Sequence, residues 1–193
     1  MAVTLPKTQY LTYQDYLAEP EIIKRYDILD GVREFMTNPT VFHQDIALNI
    51  AEMLRAYQRR TRNGKVIMAP CDVLIRLSPL RTRQPDVLYI SKERLAQCSD
   101  KRDPTPLLVA PELVVEIVSP SETKRRVTDK IADYISIGVQ ECWLVNSDTE
   151  SVEVLSLTKE GSHTIGRYTL TDTFESQVLP NLSVRVDEIF ASM

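Results

Sequence analysis

Two acidic residues lie in segments of the chain that otherwise resemble buried β-strands. Asp86 opens the strand-like run 86–90, and Glu116 interrupts the apolar run 113–118. An ionised carboxylate in a core costs several kcal/mol unless a positive charge meets it. A divalent cation between two such acids would hold both ionised, and hard oxygen ligands favour Mg²⁺ or Mn²⁺. The sequence therefore predicts a metal site. The alternatives are a salt bridge from Glu116 to an arginine and a capping or turn role for Asp86.

Lys130 is a basic residue on a predicted helix that follows the second acid. The face of this helix that is expected to pack on a sheet carries Val127, Ile131, Tyr134 and Gly138, and Lys130 lies about 60° from its centre. Its side chain is long enough to reach over the sheet edge to both acids. There it would position or deprotonate an attacking water and offset phosphate charge. The alternative is a lysine at the helix flank that only extends toward solvent.

The basic residues are concentrated in one part of the chain. The net charge is −4, yet the stretch from Arg55 to Arg83 holds eight basic residues and one acid. Phosphate contacts need such local clusters whatever the net charge of the protein. We expect nucleic acid to contact basic residues of this stretch and of a second basic run, namely Arg59, Arg60, Arg62 and Lys124. The alternative is a solvated helix end and loop.

The N-terminal half of the chain contains the elements that must position Asp86. A short capped helix after Thr12 precedes two strands joined at Asp30-Gly31, which form a hairpin over 26–37. Apolar residues at helical spacing predict a long helix over 40–59. Three strands are expected to follow, at 65–69, 72–77 and 85–90, with Pro- and Arg-rich loops between them.

The C-terminal half contains the elements that must position Glu116 and Lys130. A strand at 112–118 has apolar residues on both faces, which is typical of a central strand covered on both sides. A helix at 121–137 and a strand at 141–146 follow, and this order implies a parallel crossover. The tail is expected to form a further hairpin within 152–170 and a last short helix at 186–190.

Composition excludes several classes of protein. The 193 residues are 43% hydrophobic and 26% charged, which suits one globular domain. No apolar run approaches the roughly 20 residues that span a bilayer, and the N-terminus lacks a secretory pattern, so a cytoplasmic protein without a membrane partner is expected. The cysteines form no CxxC motif and the five glycines no GxGxxG motif. We therefore expect neither a zinc site nor a nucleotide site.

Five blocks of sequence occur in an order that is typical of one group of enzymes. They are Tyr26–Gly31, His43, Gln84–Val87, Pro111–Ser121 and Lys130–Val145. Together they cover most of the chain and resemble the PD-(D/E)XK nuclease superfamily, in particular its bacterial restriction-endonuclease-like branch, long catalogued as a domain of unknown function. The resemblance implies an α/β (α+β) fold in a single domain over residues 1–193. Its mixed central sheet would be flanked by helices, with N- and C-terminal β-hairpins.

The resemblance also implies roles for individual residues. The two acids of the superfamily bind Mg²⁺, and they correspond here to Asp86 and Glu116, with the backbone carbonyl of Ile117 as a further ligand. The catalytic lysine usually stands two residues after the second acid, where this chain has Val118. In this branch a helix lysine takes its place, which here is Lys130.

Two further residues match positions of the branch. Asp27 stands where branch members usually carry Glu, and there it would orient a second metal or a water. The alternative is an acid beside a hairpin turn. His43 matches a recurring histidine that would contact phosphate or the site, and the alternative is a hydrogen-bonded surface residue.

The sequence thus predicts a Mg²⁺- or Mn²⁺-dependent endonuclease that hydrolyses DNA phosphodiester bonds. Single-domain nucleases of this architecture need two copies to cut two strands, so a homodimer is expected. The alternative is a non-cleaving module on the same fold that binds nucleic acid or protein. The displaced lysine leaves this alternative open.

Overall fold

The computed structural model describes residues 10–20, 22, 24–98, 106–119 and 122–191. The expectations for the first residues of the chain and for the Pro120-Ser121 part of the fourth sequence block lie outside these residues. Among the described residues, no helix is long and apolar enough to cross a bilayer.

The first half of the chain forms a hairpin, a long helix and a run of short strands. The elements are α1 (Tyr13–Ala18), β1 (Tyr26–Leu29), β2 (Val32–Phe35), α2 (Val41–Thr61), β3 (Lys65–Met68), β4 (Val73–Leu77), β5 (Leu80–Arg83), β6 (Val87–Ile90) and α3 (Lys92–Leu95). The predicted capped helix is confirmed, since Thr12 and Asp15 form a reciprocal capping box. The predicted hairpin and long helix are confirmed as well.

The second half of the chain forms the crossover and the C-terminal hairpin. Its elements are β7 (Leu113–Val118), α4 (Lys124–Ile137), β8 (Glu141–Asn146), β9 (Ser151–Thr158), β10 (Gly161–Tyr168), β11 (Thr173–Glu175), β12 (Ser183–Arg185) and α5 (Val186–Ile189). Thr123 caps the first turn of α4, and Gly138 ends the helix with φ 89°, a left-handed conformation that favours glycine.

The described strands form a mixed six-stranded sheet, a four-stranded sheet and a two-stranded sheet. The order is β10-β9-β8-β7-β6-β3 in the first, β2-β1-β5-β4 in the second and β11-β12 in the third. Strand β7 pairs antiparallel with β6 and parallel with β8. The parallel pair is joined by α4, which confirms the predicted crossover and, with the two hairpins, the α+β fold class.

The two long helices cover opposite faces of the six-stranded sheet. Ile50 of α2 belongs to the same core as Val115, whereas Tyr134 of α4 packs in a second core with Val114. Successive side chains of a strand point to opposite faces, so Glu116 lies on the same face as Val114. This alternation directs Glu116 toward α4, where Lys130 is located.

One expectation for the first half of the chain is wrong. Residues 80–83 were expected within a Pro- and Arg-rich loop, but they form β5, the strand that joins the N-terminal hairpin to β4. Arg83 is only 2% exposed there, because Asp27 and Asp133 bind its guanidinium. The charge that made this segment look like a loop is neutralised by residues far away in the chain. The small β11–β12 sheet was not expected either.

Candidate active site

The strand pairing places Asp86 beside Glu116. Val87 faces Val115 in the register of β6 and β7, and the backbone N–H of Asp86 donates to the Val115 carbonyl at 3.1 Å. The N–H of Ile117 donates to Asp86 Oδ2 at 2.8 Å. Asp86, just before β6, thus lies beside Glu116 inside β7, and the two metal ligands that the sequence predicts come together.

Three donors surround the buried Asp86 carboxylate. Arg25 Nη1 lies 2.8 Å from Oδ1, and His43 Nε2 lies 3.1 Å from the same oxygen. Burial by itself raises the pKa of Asp86, but the hydrogen bond from His43, the charge of Arg25 and the Ile117 N–H outweigh it and hold the pKa below its usual value. Asp86 therefore stays ionised. His43 contacts the site directly, rather than lying on the surface.

Glu116 has a different environment. It is 4% exposed, its Oε2 accepts from Lys130 Nζ at 2.8 Å, and its Oε1 accepts from the Tyr134 hydroxyl. Burial raises the pKa of Glu116 and the nearby Asp86 charge adds to this, while Lys130 opposes both without cancelling them. Because ionising Glu116 costs free energy in the protein without metal, a second cation close by would stabilise its ionised form.

Lys130 is enclosed by carboxylates instead of extending into solvent. Its Nζ lies 2.8 Å from Glu116 and 2.9 Å from Glu122 Oε1, and its side chain is 13% exposed. Burial lowers the pKa of the ammonium, but the two carboxylates raise it further and the net shift is upward. Lys130 is therefore protonated at neutral pH and acts as a cation and hydrogen-bond donor.

The two acids and Lys130 line one cavity of about 490 Å³. Asp86, Glu116 and Lys130 contribute to its wall together with Arg25, Glu122, and residues of the 35–40 segment. Arg126, which is half exposed and paired with Glu34 at 3.1 Å, also lines it. The cavity thus joins a carboxylate pair, which can hold a cation, to cationic groups, which can bind a phosphate.

The chemistry of the available donors fits a hard divalent cation. The Val115 carbonyl accepts from the Asp86 N–H, and the Ile117 N–H donates to the Asp86 carboxylate. The N–H and C=O of one strand residue point to the same edge of the strand. The Ile117 carbonyl therefore faces the edge at which Asp86 lies. Two carboxylates and this carbonyl offer only oxygen ligands. No described group of three His, Cys, Asp or Glu side chains is placed to hold a metal by itself. Mg²⁺, which keeps several waters and uses one or two carboxylates, suits such a set.

Asp27 lies in the cavity wall but is engaged elsewhere. Its Oδ2 binds Arg83 Nη1 at 2.7 Å and its Oδ1 accepts from the Gln84 N–H at 3.2 Å. Arg83 also binds Asp133 of α4 at 2.6 Å. Asp27 is therefore a buried partner of the segment that leads to Asp86, rather than a free acid beside a turn.

The predicted nucleic-acid-binding residues fall into two groups. His43 is near the start of α2, and Arg59, Arg60 and Arg62 are at its end, so the arginines begin about 24 Å along the helix from the site at about 1.5 Å per residue. Arg60 is tied to the Asn181 carbonyl at 2.8 Å. Lys124 is exposed at the first turn of α4, two residues from the cavity-lining Glu122 and Arg126. Only Lys124 lies near the site.

Three site residues were not predicted as such. Tyr134 follows Lys130 by one helical turn, so the spacing that put it on the sheet-facing side also indicates that it can reach Glu116. Glu122 lies just before α4 and carried no distinguishing pattern. Arg25 is 61 positions from its partner Asp86, and no local signal connects them.

Comparisons with known proteins found a matching family and a similar structure. A family model described as "Uma2: Putative restriction endonuclease" matches residues 11–187. Among solved structures, the chain is similar to a "putative nuclease belonging to DUF820" from Anabaena variabilis, with a TM-score of 0.76 and 17% sequence identity over 93% of this chain and 97% of that one. None of the curated proteins compared with the chain matches it. The structural match shows a shared fold.

Proposed function

Because the chain belongs to the Uma2 family of putative restriction endonucleases, we propose that it is a Mg²⁺-dependent endonuclease that hydrolyses phosphodiester bonds of DNA. The observation that carries the proposal is the adjacency of Asp86 and Glu116 in one cavity with the Lys130 ammonium, 2.8 Å from Glu116. The carboxylates of Asp86 and Glu116 and the carbonyl of Ile117 would hold Mg²⁺ or Mn²⁺. When bound, the cation supplies Lewis-acid stabilisation of the phosphate and lowers the pKa of a water.

The protein's own groups have separate tasks in this proposal. Asp86 is kept ionised by His43, Arg25 and the Ile117 N–H, so it is ready to act as a ligand. Lys130 donates hydrogen bonds and positive charge to the phosphate oxygens as negative charge builds up on them. Its upward pKa shift argues against a role in deprotonating water. Tyr134 fixes the orientation of Glu116 through its hydroxyl.

Three finer points belong to the same proposal. The substrate is duplex DNA, whose phosphates would meet Lys124 at the rim of the cavity, while Arg59, Arg60 and Arg62 are proposed as a separate phosphate contact. The active form is a homodimer built from one domain per chain, since one site cuts one strand. We also propose that the protein acts in the cytoplasm.

A plasmid-nicking assay tests the proposal. Wild-type protein with Mg²⁺ or Mn²⁺ is expected to convert supercoiled plasmid to nicked and linear forms, and EDTA should stop the reaction. Asp86→Asn and Glu116→Gln should be inactive, whereas Glu175→Ala, a change at an exposed acid of β11, should leave the rate unchanged. If the wild type binds duplex DNA without metal and does not nick the plasmid, the protein is a non-cleaving binding module and the nuclease proposal is wrong.

A further inference from the structure

Arg25 is a cation of the cavity wall whose one role described so far is to help keep Asp86 ionised. It directly precedes β1, and its side chain is 19% exposed. Nη1 lies 2.8 Å from Asp86 Oδ1 and Nη2 donates to the Gln84 carbonyl at 2.9 Å. The guanidinium thus binds an oxygen of the same carboxylate that is proposed as a ligand of the metal ion.

One donor of the same guanidinium has no partner. Arg25 Nε is buried and makes no hydrogen bond to any described residue. Buried nitrogen donors are almost always hydrogen-bonded, so an unpaired one in the wall of the cavity that holds Asp86 and Glu116 points to an acceptor that enters this cavity. Arg33 Nε is buried and unpaired as well, but it lies outside this cavity, so the location of Arg25 beside Asp86 carries the argument. A guanidinium offers five N–H donors in a rigid plane, an arrangement that matches phosphate oxygens.

The charges around the cavity explain when such an acceptor would bind. Three carboxylates, Asp86, Glu116 and Glu122, are balanced in part by Arg25 and Lys130. These five groups therefore leave one net negative charge, which repels a phosphate. One divalent cation reverses the balance to one net positive charge, which a single phosphodiester then neutralises.

We propose that Arg25 is a phosphate-binding residue whose availability depends on the metal: bound to Asp86 in the bare protein, it is released when Asp86 turns to the cation and then binds a non-bridging oxygen of the DNA phosphate. The inference rests on the proposed nuclease function and deepens it. Release frees Nη1, and Nε is free already, while the Gln84 carbonyl still anchors Nη2. Metal and substrate binding are coupled in this way through one side chain.

Two other arginines near the cavity do not fit this role. Both sides of Arg83 are occupied by Asp27 and Asp133, and it is only 2% exposed. Arg126 stands at the rim, half exposed, and pairs with Glu34 rather than with a metal-binding carboxylate. Only Arg25, among these three, contacts a proposed ligand of the metal.

The test compares Arg25→Gln with a matched arginine on the other face of the hairpin. Arg33 has a similar exposure, 20%, and pairs with Glu19 outside this cavity. Affinity for a short DNA duplex is measured across a series of salt concentrations, in EDTA and with Ca²⁺ in place of Mg²⁺. Metal affinity is measured by calorimetry, and Arg25→Lys serves as a variant that keeps the charge.

Arg25→Gln should bind the metal at least as tightly as wild type, since a competing cation has left Asp86. With metal, its duplex affinity should fall about 10-fold and the slope of log affinity against log salt should flatten by about one, the value for one lost phosphate contact. In EDTA the difference between the two proteins should be much smaller, since Arg25 of the wild type is then bound to Asp86 rather than to DNA. Arg25→Lys should recover part of the loss, and Arg33→Gln should show none of it.

The failure of this inference and the failure of the nuclease proposal give different results. If wild type binds metal and nicks plasmid, but Arg25→Gln loses metal affinity or loses duplex affinity equally with and without metal, Arg25 is a structural residue and only this inference falls. An unchanged duplex affinity with metal overturns it as well. If wild type neither binds metal nor nicks, both proposals fall together.

Discussion

Lys130 lies between two carboxylates, and this placement decides what it can do. The ammonium is 2.8 Å from Glu116 and 2.9 Å from Glu122. If Glu116 turns to a metal ion, Glu122 remains to hold Lys130 beside the cavity. The side chain therefore keeps its charge and its position while one of its hydrogen bonds becomes available to a phosphate oxygen.

Replacing Lys130 separates its chemical role from the metal site. Lys130→Met should lower the nicking rate by about 10²- to 10³-fold, the usual loss when one charged donor to a transition state is removed. Calorimetric Mg²⁺ affinity should persist. The exposed Lys124→Met is the control for a loss of charge alone, and its rate should fall much less. Equal losses in the two variants would contradict the assignment.

Asp72 is a buried acid away from the site, and its ionisation should make the stability of the protein depend on pH. It is 7% exposed and accepts hydrogen bonds from Tyr16, Thr82 and Gln84. Burial raises its pKa, and these hydrogen bonds offset the shift only in part. A folded-state pKa above the unfolded value of about 3.9 means that stability is lost as pH rises from there through the folded pKa.

Asp72→Asn removes this titration. The free energy of unfolding of the variant should therefore rise relative to wild type as pH increases from about 4 toward neutrality, since only the wild type then ionises a buried acid. Urea denaturation followed by the fluorescence of Trp143, which is 1% exposed, measures both proteins. A difference that does not change with pH would show that burial of Asp72 does not shift its titration.

Ion pairs with little exposure to solvent join helix α4 to strand β5. Arg83 binds Asp27 of β1 at 2.7 Å and Asp133 of α4 at 2.6 Å, and Arg81 binds Asp133 at 2.7 Å. Asp133 follows Lys130 by three residues, so this contact fixes the part of the helix that carries Lys130. The same network holds the Gln84 backbone two residues before Asp86.

Breaking this network should be costly. Arg83→Met leaves two carboxylates without their shared partner and should lower the free energy of unfolding by about 3–5 kcal/mol. Arg126→Met, which removes an exposed ion pair from the same helix, should cost less than about 1 kcal/mol. Urea denaturation of both variants checks the difference. Similar small losses would mean that the buried pair contributes no more than a surface pair.

The same elements show how far sequence reasoning extends. Strand β7, helix α4 and strand β8 are predictable because their apolar residues recur with the period of their own structure, and Asp86 and Glu116 stand out because they interrupt such a pattern. Strand β5 is not predictable in this way, since Arg81 and Arg83 pair with Asp133, about 50 residues later, and Arg83 also pairs with Asp27, 56 residues earlier. The role of Arg25 cannot be read from the sequence for the same reason, since its partner Asp86 lies 61 positions later in the chain.

Binding of the metal should raise the free energy of unfolding of the whole protein. The net charge of −4 gives DNA no general attraction to this protein, so affinity has to come from local sites, of which the metal would supply the charge. A ligand that binds only the folded state at about 100 times its Kd adds about 2.7 kcal/mol.

This coupling predicts a thermal shift. At such a Mg²⁺ concentration the Tm of the wild type should rise by about 5–10 °C, given about 2–4 °C per kcal/mol for a chain of this length. Glu116→Gln should show no shift, and Glu175→Ala should show the full one. A shift of equal size in Glu116→Gln would mean that the cation binds elsewhere on the protein.

Calorimetric titration of Mn²⁺ or Mg²⁺ into wild type, Asp86→Asn and Glu116→Gln tests most directly that these two acids hold the metal. We expect one bound ion per wild-type chain, no measurable binding by either variant and unchanged binding by Glu175→Ala. Binding that survives in both variants, or no binding by the wild type itself, would show that these two acids do not hold a metal.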